Sequence, residues 1–464
     1  MDIGRYLVPA TPVRTLAEHR ARGGGTALES ARHIGPDAVV ELLLASGLRG
    51  RGGAGFPTGR KWASVREGGS ELGDRFAVAN GAEGEPGTFK DRALLASNPY
   101  QVLEGLAVAA ETIGAVHAFV AIKASFGEQR AALDRALDEM RGEGLLGDVP
   151  MTIVEGPDEY LFGEEKALLA VIEGDDPLPR LFPPYLHGLF ATRPQVGWSA
   201  ETSIDDIPRV GSNPTLVNNV ETLANVGPIL ERGVDWYRSL GTDESPGHAI
   251  CTVVGDVRRA GVAEVPLGTP LDAVIVEVSG GTRPGRSFKA ALSGVANPVI
   301  TAEHVDVPVS YEGMEAIGTG LGACGFIVYD DTADMAAVAR SVSRFLFVES
   351  CGQCPPCKLG TGEVTDLLDE LLAGRATESD IEQIGARLLT VTDANRCFLG
   401  EQEQRVIGSL LRAFAEDFVT HLEGASPTPP PPIPKLVDIR PDGTAVYDER
   451  QERKQPDWTY AGAS

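Results

Sequence analysis

Positive charge is scarce in this sequence. Forty-one Lys and Arg stand against 66 Asp and Glu, leaving a formal net charge of −25. That deficit argues against nucleic acid and against an anionic membrane surface as partners. Long apolar runs are missing too, and no stretch approaches the ~20 residues that span a bilayer. No direct membrane insertion is expected. The opening Met1-Asp2-Ile3-Gly4-Arg5 has no signal-peptide character, so a cytoplasmic protein, or one peripheral to a membrane complex, is the expectation. The seven histidines are scattered without ligand-like spacing. Cysteines are few, six in 464 residues, and four of them share one pattern.

That pattern is Cys351-Gly352-Gln353-Cys354-Pro355-Pro356-Cys357, with Cys397 downstream. Three thiolates at this spacing can wrap one face of a compact centre, and a fourth returned by the fold can close it. Four soft sulfur donors meet the demand of a [4Fe–4S] cluster. Zinc is the rival, but structural zinc sites usually pair one C-x-x-C with a second, distant pair. A disulfide framework fits poorly, because half-cystines this close pair badly with one another. Cys251 and Cys324 lie in apolar, strand-like surroundings and read as small buried hydrophobes.

A second dense stretch runs from Gly47 to Trp62. Gly50, Gly52 and Gly55 match G-x-G-x-x-G, but no buried strand precedes them and Pro57 follows closely, so the Rossmann context is wrong. The glycines still allow backbone N–H groups to approach a phosphate, with Arg51 and Lys61 supplying charge; a flexible loop is the alternative. A short strand, Phe76–Ala79, delivers the polar loop Asn80-Gly81-Ala82-Glu83-Gly84-Glu85-Pro86-Gly87. Asn80 carries both donor and acceptor for a heterocycle edge, and Glu83 and Glu85 are acceptors for N–H or hydroxyl groups. A helix at 99–114, a strand at 118–123 and a helix at 127–142 then suggest an α/β domain.

In fixed order, residues 48–61, 80–92, Gly163-Glu164-Glu165, Asn218-Asn219-Val220-Glu221-Thr222 and the cysteine motif resemble the NADH-oxidising flavoprotein subunit of respiratory complex I. The same family includes diaphorase subunits of NAD-linked formate dehydrogenases and hydrogenases. The resemblance covers about residues 35–422 and implies FMN, NAD(H) and one [4Fe–4S] cluster held by Cys351, Cys354, Cys357 and Cys397. It implies that Gly50, Arg51, Gly52, Gly53 and Lys61 cradle FMN and that Asn80 contacts its ring. Tyr160, Gly163, Glu164, Glu165, Asn218, Asn219 and Thr222 would line the flavin and nicotinamide pocket. Phe56 would stack on NAD, Glu83 and Glu85 would hold its ribose or carboxamide, and Tyr185 would supply a second aromatic. No side chain is expected to act as acid or base, since the hydride exchange is made at flavin N5. The implied partners are a thioredoxin-like [2Fe–2S] subunit and a larger iron–sulfur or molybdenum-bearing catalytic subunit.

Four positions depart from the family pattern. Ala82 replaces an aspartate, Phe182 a lysine, Ser64 an aromatic and Phe162 a cysteine. Losing a carboxylate that accepts from the flavin costs ~1.5–3 kcal/mol unless another group replaces it. An insert at about 186–212, with Phe190, Trp198, Asp205 and Asp206, lies where NAD would approach. The departures support a second reading, a non-catalytic electron-transfer or scaffold subunit with a disabled dinucleotide site.

The expected fold is α/β. A lead-in (1–46) precedes a Rossmann-like FMN/NAD domain (47–248) and a β-grasp, ubiquitin-like domain (249–331) serving as spacer. A helical iron–sulfur domain (332–424) follows as a four-helix bundle, with Cys351 to Cys357 terminating its first helix and Cys397 in the turn before its last. The tail (425–464) reads as a proline-rich arm ending in a hairpin and suited to subunit docking; a disordered tail is the alternative.

Overall fold

The computed structural model describes residues 5–67, 70–192, 210–424 and 427–462. The chain divides into two units, one of Met1–Glu83, Asp91–Asp158 and Phe162–His248, the other of Gly84–Lys90, Glu159–Leu161 and Ala249–Ser464.

In the first unit, short apolar runs form four strands: β1 (Phe76–Asn80), β2 (His117–Lys123), β3 (Met151–Gly156) and β4 (Thr215–Asn219). They make one parallel sheet in the order β3-β2-β1-β4. Parallel strands need crossover connections and covered faces, and helices before, between and after the strands supply these. These are α1 (Leu16–Ala21), α2 (Ala27–Ile34), α3 (Pro36–Ser46), α4 (Thr58–Arg66), α5 (Lys90–Ser97), α6 (Pro99–Ile113), α7 (Gly127–Gly142) and α8 (Glu165–Ile172), with α9 (Val220–Ala224), α10 (Val226–Arg232) and α11 (Val234–Arg238) after β4. Helix α6 opens on Pro99, which suits a first turn, and packs on β1 and β2. It also meets α9 closely. A Cβ at Gly105 would lie 2.0 Å from the Leu223 carbonyl oxygen, so only glycine allows that approach.

The other face of the sheet is filled by Phe76, Val78, Phe119, Ala121 and Val217, together with Leu168 and Leu169 of α8. Ala82 and Phe162 belong to this same core, 1% and 0% exposed.

A buried carboxylate ties the lead-in to α6. Glu104 of α6 accepts from the backbone N–H groups of Gly25 and Ala27 and pairs with the His19 ring at 2.8 Å.

The second unit holds β5 (His248–Gly255), β6 (Gly261–Pro266), α12 (Leu271–Ser279), β7 (Phe288–Ser293), β8 (Ile300–Thr301), α13 (Tyr311–Ala316) and β9 (Gly325–Asp330). Their sheet order is β6-β5-β9-β7-β8, with β5 and β9 parallel and β7 antiparallel to both β9 and β8. Cys251 and Cys324 are buried in its core with Val253, Leu271, Ile275 and Phe326.

Five helices follow: α14 (Met335–Glu349), α15 (Pro355–Leu372), α16 (Glu378–Thr390), α17 (Leu399–Ala413) and α18 (Ala415–Leu422). Helices α14 to α17 pack on one another in sequence, α14 also touches α17, and α18 rests on α14, α15 and α17. Two boundaries differ from those expected. The apolar period of 406–422 is broken at Phe414, whose φ of −127° and ψ of 38° separate α17 from α18. Helix α15 starts inside the cysteine motif, with Pro355 and Pro356 in its first turn. Cys357 therefore belongs to α15 and does not terminate the helix before it.

In the tail, β10 (Leu436–Ile439) and β11 (Ala445–Tyr447) pair antiparallel. Among the described residues, no helix is long and apolar enough to cross a membrane.

Candidate flavin and cluster sites

The sheet order places a crossing point between β1 and β4. The chain runs outward from β1 to β2 and β3, then returns to β1's other side as β4. Ligands of open parallel sheets bind at such a point, beyond the carboxyl ends of the strands. The two residues at those ends are Asn80 and Asn219, directly in register.

Both asparagines are oriented by their surroundings. Asn80 Nδ2 donates to the Gly163 carbonyl at 2.8 Å, and its Oδ1 accepts from the Ala82 N–H. Asn219 Nδ2 donates to Asp91 Oδ2 at 2.8 Å, and its Oδ1 caps α9 through the Glu221 N–H. The glycine-rich loop between α3 and α4 comes up to the same place. A Cβ on Gly52 would sit 3.3 Å from the Asn219 Cβ, while one on Gly53 would meet nothing within 4 Å. The loop is braced at its base by Gly50 N–H to the Phe56 carbonyl and by Thr58 N–H to the Leu48 carbonyl, both 2.9 Å.

Lys61 of α4 pairs with Glu165, the first residue of α8. Glu164 caps the same helix, accepting from the Lys166 and Ala167 N–H groups at 3.0 Å each. Burial pushes its carboxyl up to about 7, against the opposing pull of Lys166. Asn218 Oδ1 receives the indole N–H of the fully buried Trp62 at 2.8 Å. Thr222 Oγ1 accepts the Arg51 N–H.

Three residues of the recognised motifs stand in buried settings. Arg51 is the first. It is 2% exposed, and its guanidinium donates to Tyr237 Oη and the Pro246 carbonyl. Glu83 is the second. Its side chain is 3% exposed, pairs with Arg92 at 2.9 Å and accepts the Asp91 N–H. Ala82 is not a gap in a polar pocket but part of the apolar core it shares with Phe162. Phe56 and Tyr185 are exposed. Of the 186–212 insert, Gly188 and Leu189 are tied to Ser212 and Thr215, and Phe190 packs edge-on against Phe76. Trp198, Asp205 and Asp206 lie outside the described residues.

Glu85 and Tyr160 belong to the second unit. The Tyr160 hydroxyl donates to Glu85 Oε2 at 2.5 Å and accepts from Gln402 Nε2 at 2.6 Å, and Glu85 Oε1 accepts the Val295 N–H. Burial raises the Glu85 carboxyl, and burial together with Glu85 raises the Tyr160 phenol well above its ordinary value. The Cys397 thiolate acts on Tyr160 in the same direction.

Cys351 and Cys354 lie in the loop between α14 and α15, Cys357 in α15's first turn, and Cys397 just before α17. Arg396 N–H points at Cys354 Sγ (3.3 Å), Gln353 Nε2 at Cys351 Sγ (3.6 Å), and the Ser350 hydroxyl lies 3.4 Å from Cys357 Sγ. Among the described residues, no group of three or more His, Cys, Asp or Glu is gathered as around one metal ion. A cubane spreads its four sulfurs wider than a single ion does, so the donor set itself is the test. Burial pushes the Cys357 thiol up to about 11, with the Cys354 and Cys351 thiolates adding to it. Four thiols, Cys354 and Cys357 buried and Cys351 and Cys397 half-buried, with N–H and O–H donors aimed at three of them, fit an iron–sulfur centre, whose cationic irons would reverse that penalty.

Nothing in the sequence marked Asp91, Gln402 or Glu349 as partners of these residues. Asp91 falls in the recognised 80–92 stretch, whereas Gln402 and Glu349 sit mid-pattern in amphipathic helices.

Two family models match the chain. The Nuo51 FMN-binding domain covers residues 43–228, and the NADH-ubiquinone oxidoreductase-F iron–sulfur binding region covers 337–421. An F subunit of the NADH-quinone oxidoreductase of Rhizobium meliloti, the one numbered 2, is 36% identical over 420 residues, 88% of this chain and 94% of that protein. The HndC subunit of the NADP-reducing hydrogenase of Solidesulfovibrio fructosivorans is 32% identical, across 88% of this chain and 81% of its own. Among solved structures, an NAD+-reducing [NiFe]-hydrogenase in its H2-reduced state is similar, with a TM-score of 0.74 and 31% identity, covering 91% of this chain and 67% of that one. Its air-oxidised form gives a TM-score of 0.72, 86% of this chain and 65% of that chain.

Proposed function

The chain belongs to the family of NADH-quinone oxidoreductase F subunits, with an FMN-binding domain and a 4Fe–4S region, and from that premise we propose how its own residues serve NAD(H)-linked electron transfer. When bound, FMN supplies the exchange between the electron pair of one hydride and two single electrons, and the cluster supplies single-electron transfer.

The observation that carries the assignment is the crossing point of the parallel sheet. There Asn80 and Asn219 stand side by side with Gly52 against them. Gly52 and Gly53 leave room for the flavin's phosphate and ribityl chain, and the asparagines orient its ring. Lys61 supplies positive charge from α4 while Glu165 restrains its side chain. Burial raises the Glu164 carboxyl to about 7, so its charge is only partly developed near neutral pH, and Glu165 beside it carries the carboxylate that meets Lys61. Phe56 and Tyr185 offer faces for the nicotinamide dinucleotide. Glu83 acts one step removed, fixing Arg92 and the Asp91 backbone, and Asp91 in turn fixes Asn219. In the second unit, Glu85 with Tyr160 holds a hydrogen-bonded proton in a buried setting. Cys351, Cys354, Cys357 and Cys397 are the cluster ligands. Strand order β6-β5-β9-β7-β8, which is second, first, last, third, fourth, supports the β-grasp reading of 249–331, and the mutual packing of α14 to α17 supports the bundle reading.

The partners proposed are a thioredoxin-like [2Fe–2S] subunit and a larger iron–sulfur or catalytic subunit. NAD+ reduction is as accessible as NADH oxidation, since the same contacts serve both. An altered dinucleotide site favours a relative of complex I in a hydrogen- or formate-linked assembly. The test is chemical analysis of the purified chain with ferricyanide as acceptor. One FMN and four irons with four sulfides per chain, and NADH-dependent ferricyanide reduction lost in Asn219→Leu, are expected. A chain holding the cluster but no flavin would support the scaffold reading instead.

A further inference from the structure

The C-terminal segment returns to the helix that leads into the cysteine loop. Glu349, the final residue of α14, is 0% exposed and two residues before Cys351. Its carboxylate accepts from Lys454 Nζ at 2.7 Å, from Gln451 Nε2 at 3.0 Å and from the backbone N–H of Tyr160 at 3.1 Å. Lys454 is also 0% exposed, an ammonium taken out of water to meet this one carboxylate. A buried ion pair of this kind holds only where geometry and further hydrogen bonds satisfy it; the other ammonium near Glu349, Lys435, is 4.0 Å away, so removing Lys454 leaves the carboxylate with that longer contact.

The tail grips the neighbourhood at further points. Arg344, one turn earlier on α14, donates to the carbonyls of Gln451, Glu452 and Lys454 at 2.8 to 3.2 Å. Lys358, next to Cys357, donates to the carbonyls of Phe347, Ser350 and Pro456, so one ammonium ties the tail to both flanks of the cysteine loop. Nearer the linker, Ser341 Oγ holds the Pro431 carbonyl and Gly87 N–H the Pro434 carbonyl. Gly87 lies two residues beyond Glu85, the partner of the Tyr160 hydroxyl.

We propose that Lys454, acting through Glu349, is a positioning residue for electron transfer: the C-terminal strap fixes the cysteine loop and the Tyr160–Glu85 pair as one rigid group. The proposal rests on the reading of the four cysteines as cluster ligands. It assigns the tail an internal task in place of the docking arm expected from its prolines.

The experiment compares the full chain with Lys454→Met, Lys454→Arg and, as a control on the exposed face of the hairpin, Val437→Ser. Iron, sulfide and FMN are counted per chain, the electron paramagnetic resonance spectrum is recorded after dithionite reduction, and iron loss to a ferrous chelator is timed. Lys454→Met should lose iron at least tenfold faster and show shifted, broadened resonance lines, with FMN content at the parent level. Lys454→Arg should fall between, and Val437→Ser should match the parent. Parent-like lines in Lys454→Met, with iron loss within twofold, would overturn the proposal. Should Lys454→Met lose FMN as well, a sign of general unfolding, Gln451→Leu removes one donor to Glu349 together with the acceptor of Lys435 Nζ, leaves Lys454 in place and is read by the same two criteria. A parent chain containing zinc, or iron without sulfide, would instead refute the cluster reading and take the proposal with it.

Discussion

Asn80 and Asn219 face each other in register at the carboxyl ends of two neighbouring parallel strands, and the Asn219 amide donates to the Asn80 carbonyl at 3.3 Å. Their strands lie on the two sides of the point where the strand order reverses, so the pair marks the one crevice that a parallel sheet leaves between its loops. A glycine loop without a Rossmann strand before it reaches that crevice from outside the sheet, between α3 and α4.

The first prediction follows from that approach. Gly52→Val places branched carbons where a bare Cβ already comes within 3.3 Å of Asn219. FMN affinity should fall at least tenfold, while iron and sulfide content stay at the parent level. Equilibrium dialysis of FMN, with iron analysis of the same samples, checks it.

Ala82→Asp restores the carboxylate that the family pattern has at this position. Here it would enter a core with Phe162, Leu168 and Val217, at a site 1% exposed. Burying an unpaired carboxylate should cost more than about 3 kcal/mol. The expected outcome in chemical denaturation is a large loss of stability, with no gain in flavin affinity.

Glu83→Gln breaks an ion pair in which both side chains are nearly inaccessible, 3% and 6% exposed. Its cost should be about 3–5 kcal/mol, because the buried Arg92 guanidinium loses the carboxylate that balances its charge. A residue that held the ribose of NADH would instead raise KM for NADH at unchanged stability, and the two effects are measured separately.

Glu231 gives a pH-dependent prediction. Burial, reinforced by Glu104, raises its carboxyl to about 7 in the folded chain, above the ordinary 4.5. The folded state therefore binds more protons than the unfolded state between these values. This contribution to stability is fully present below pH 4.5 and is lost as pH rises through 7. Glu231→Gln removes the dependence. Melting temperatures of parent and variant from pH 4.5 to 8 should diverge in the variant's favour as pH rises.

Much of this was legible in local patterns. The cysteine spacing, the strand ending in Asn80 and helix α6 opening at Pro99 each depend on residues close together in the chain. What was not legible depends on partners far apart. The Arg51 guanidinium meets Tyr237, Glu349 meets Lys454, and Tyr160 meets Gln402. No spacing announces such pairs. The break at Phe414 was hidden because the apolar period continues through it. The start of α15 was hidden for the opposite reason: its first turns, with Gly360 and Gly362, carry little amphipathic signal, and Pro355 was the cue. The tail's prolines gave an extended arm, but not the contacts that arm makes with α14 and with Gly87.

The central claim is that electrons pass between NAD(H) and the cysteine-bound cluster by way of the flavin at the Asn80–Asn219 crevice. Anaerobic visible absorption during an NADH titration of the protein with its partners tests it most directly. The account predicts bleaching of the flavin followed by reduction of the cluster. A flavin spectrum unchanged under excess NADH, yet bleached by dithionite, would contradict it.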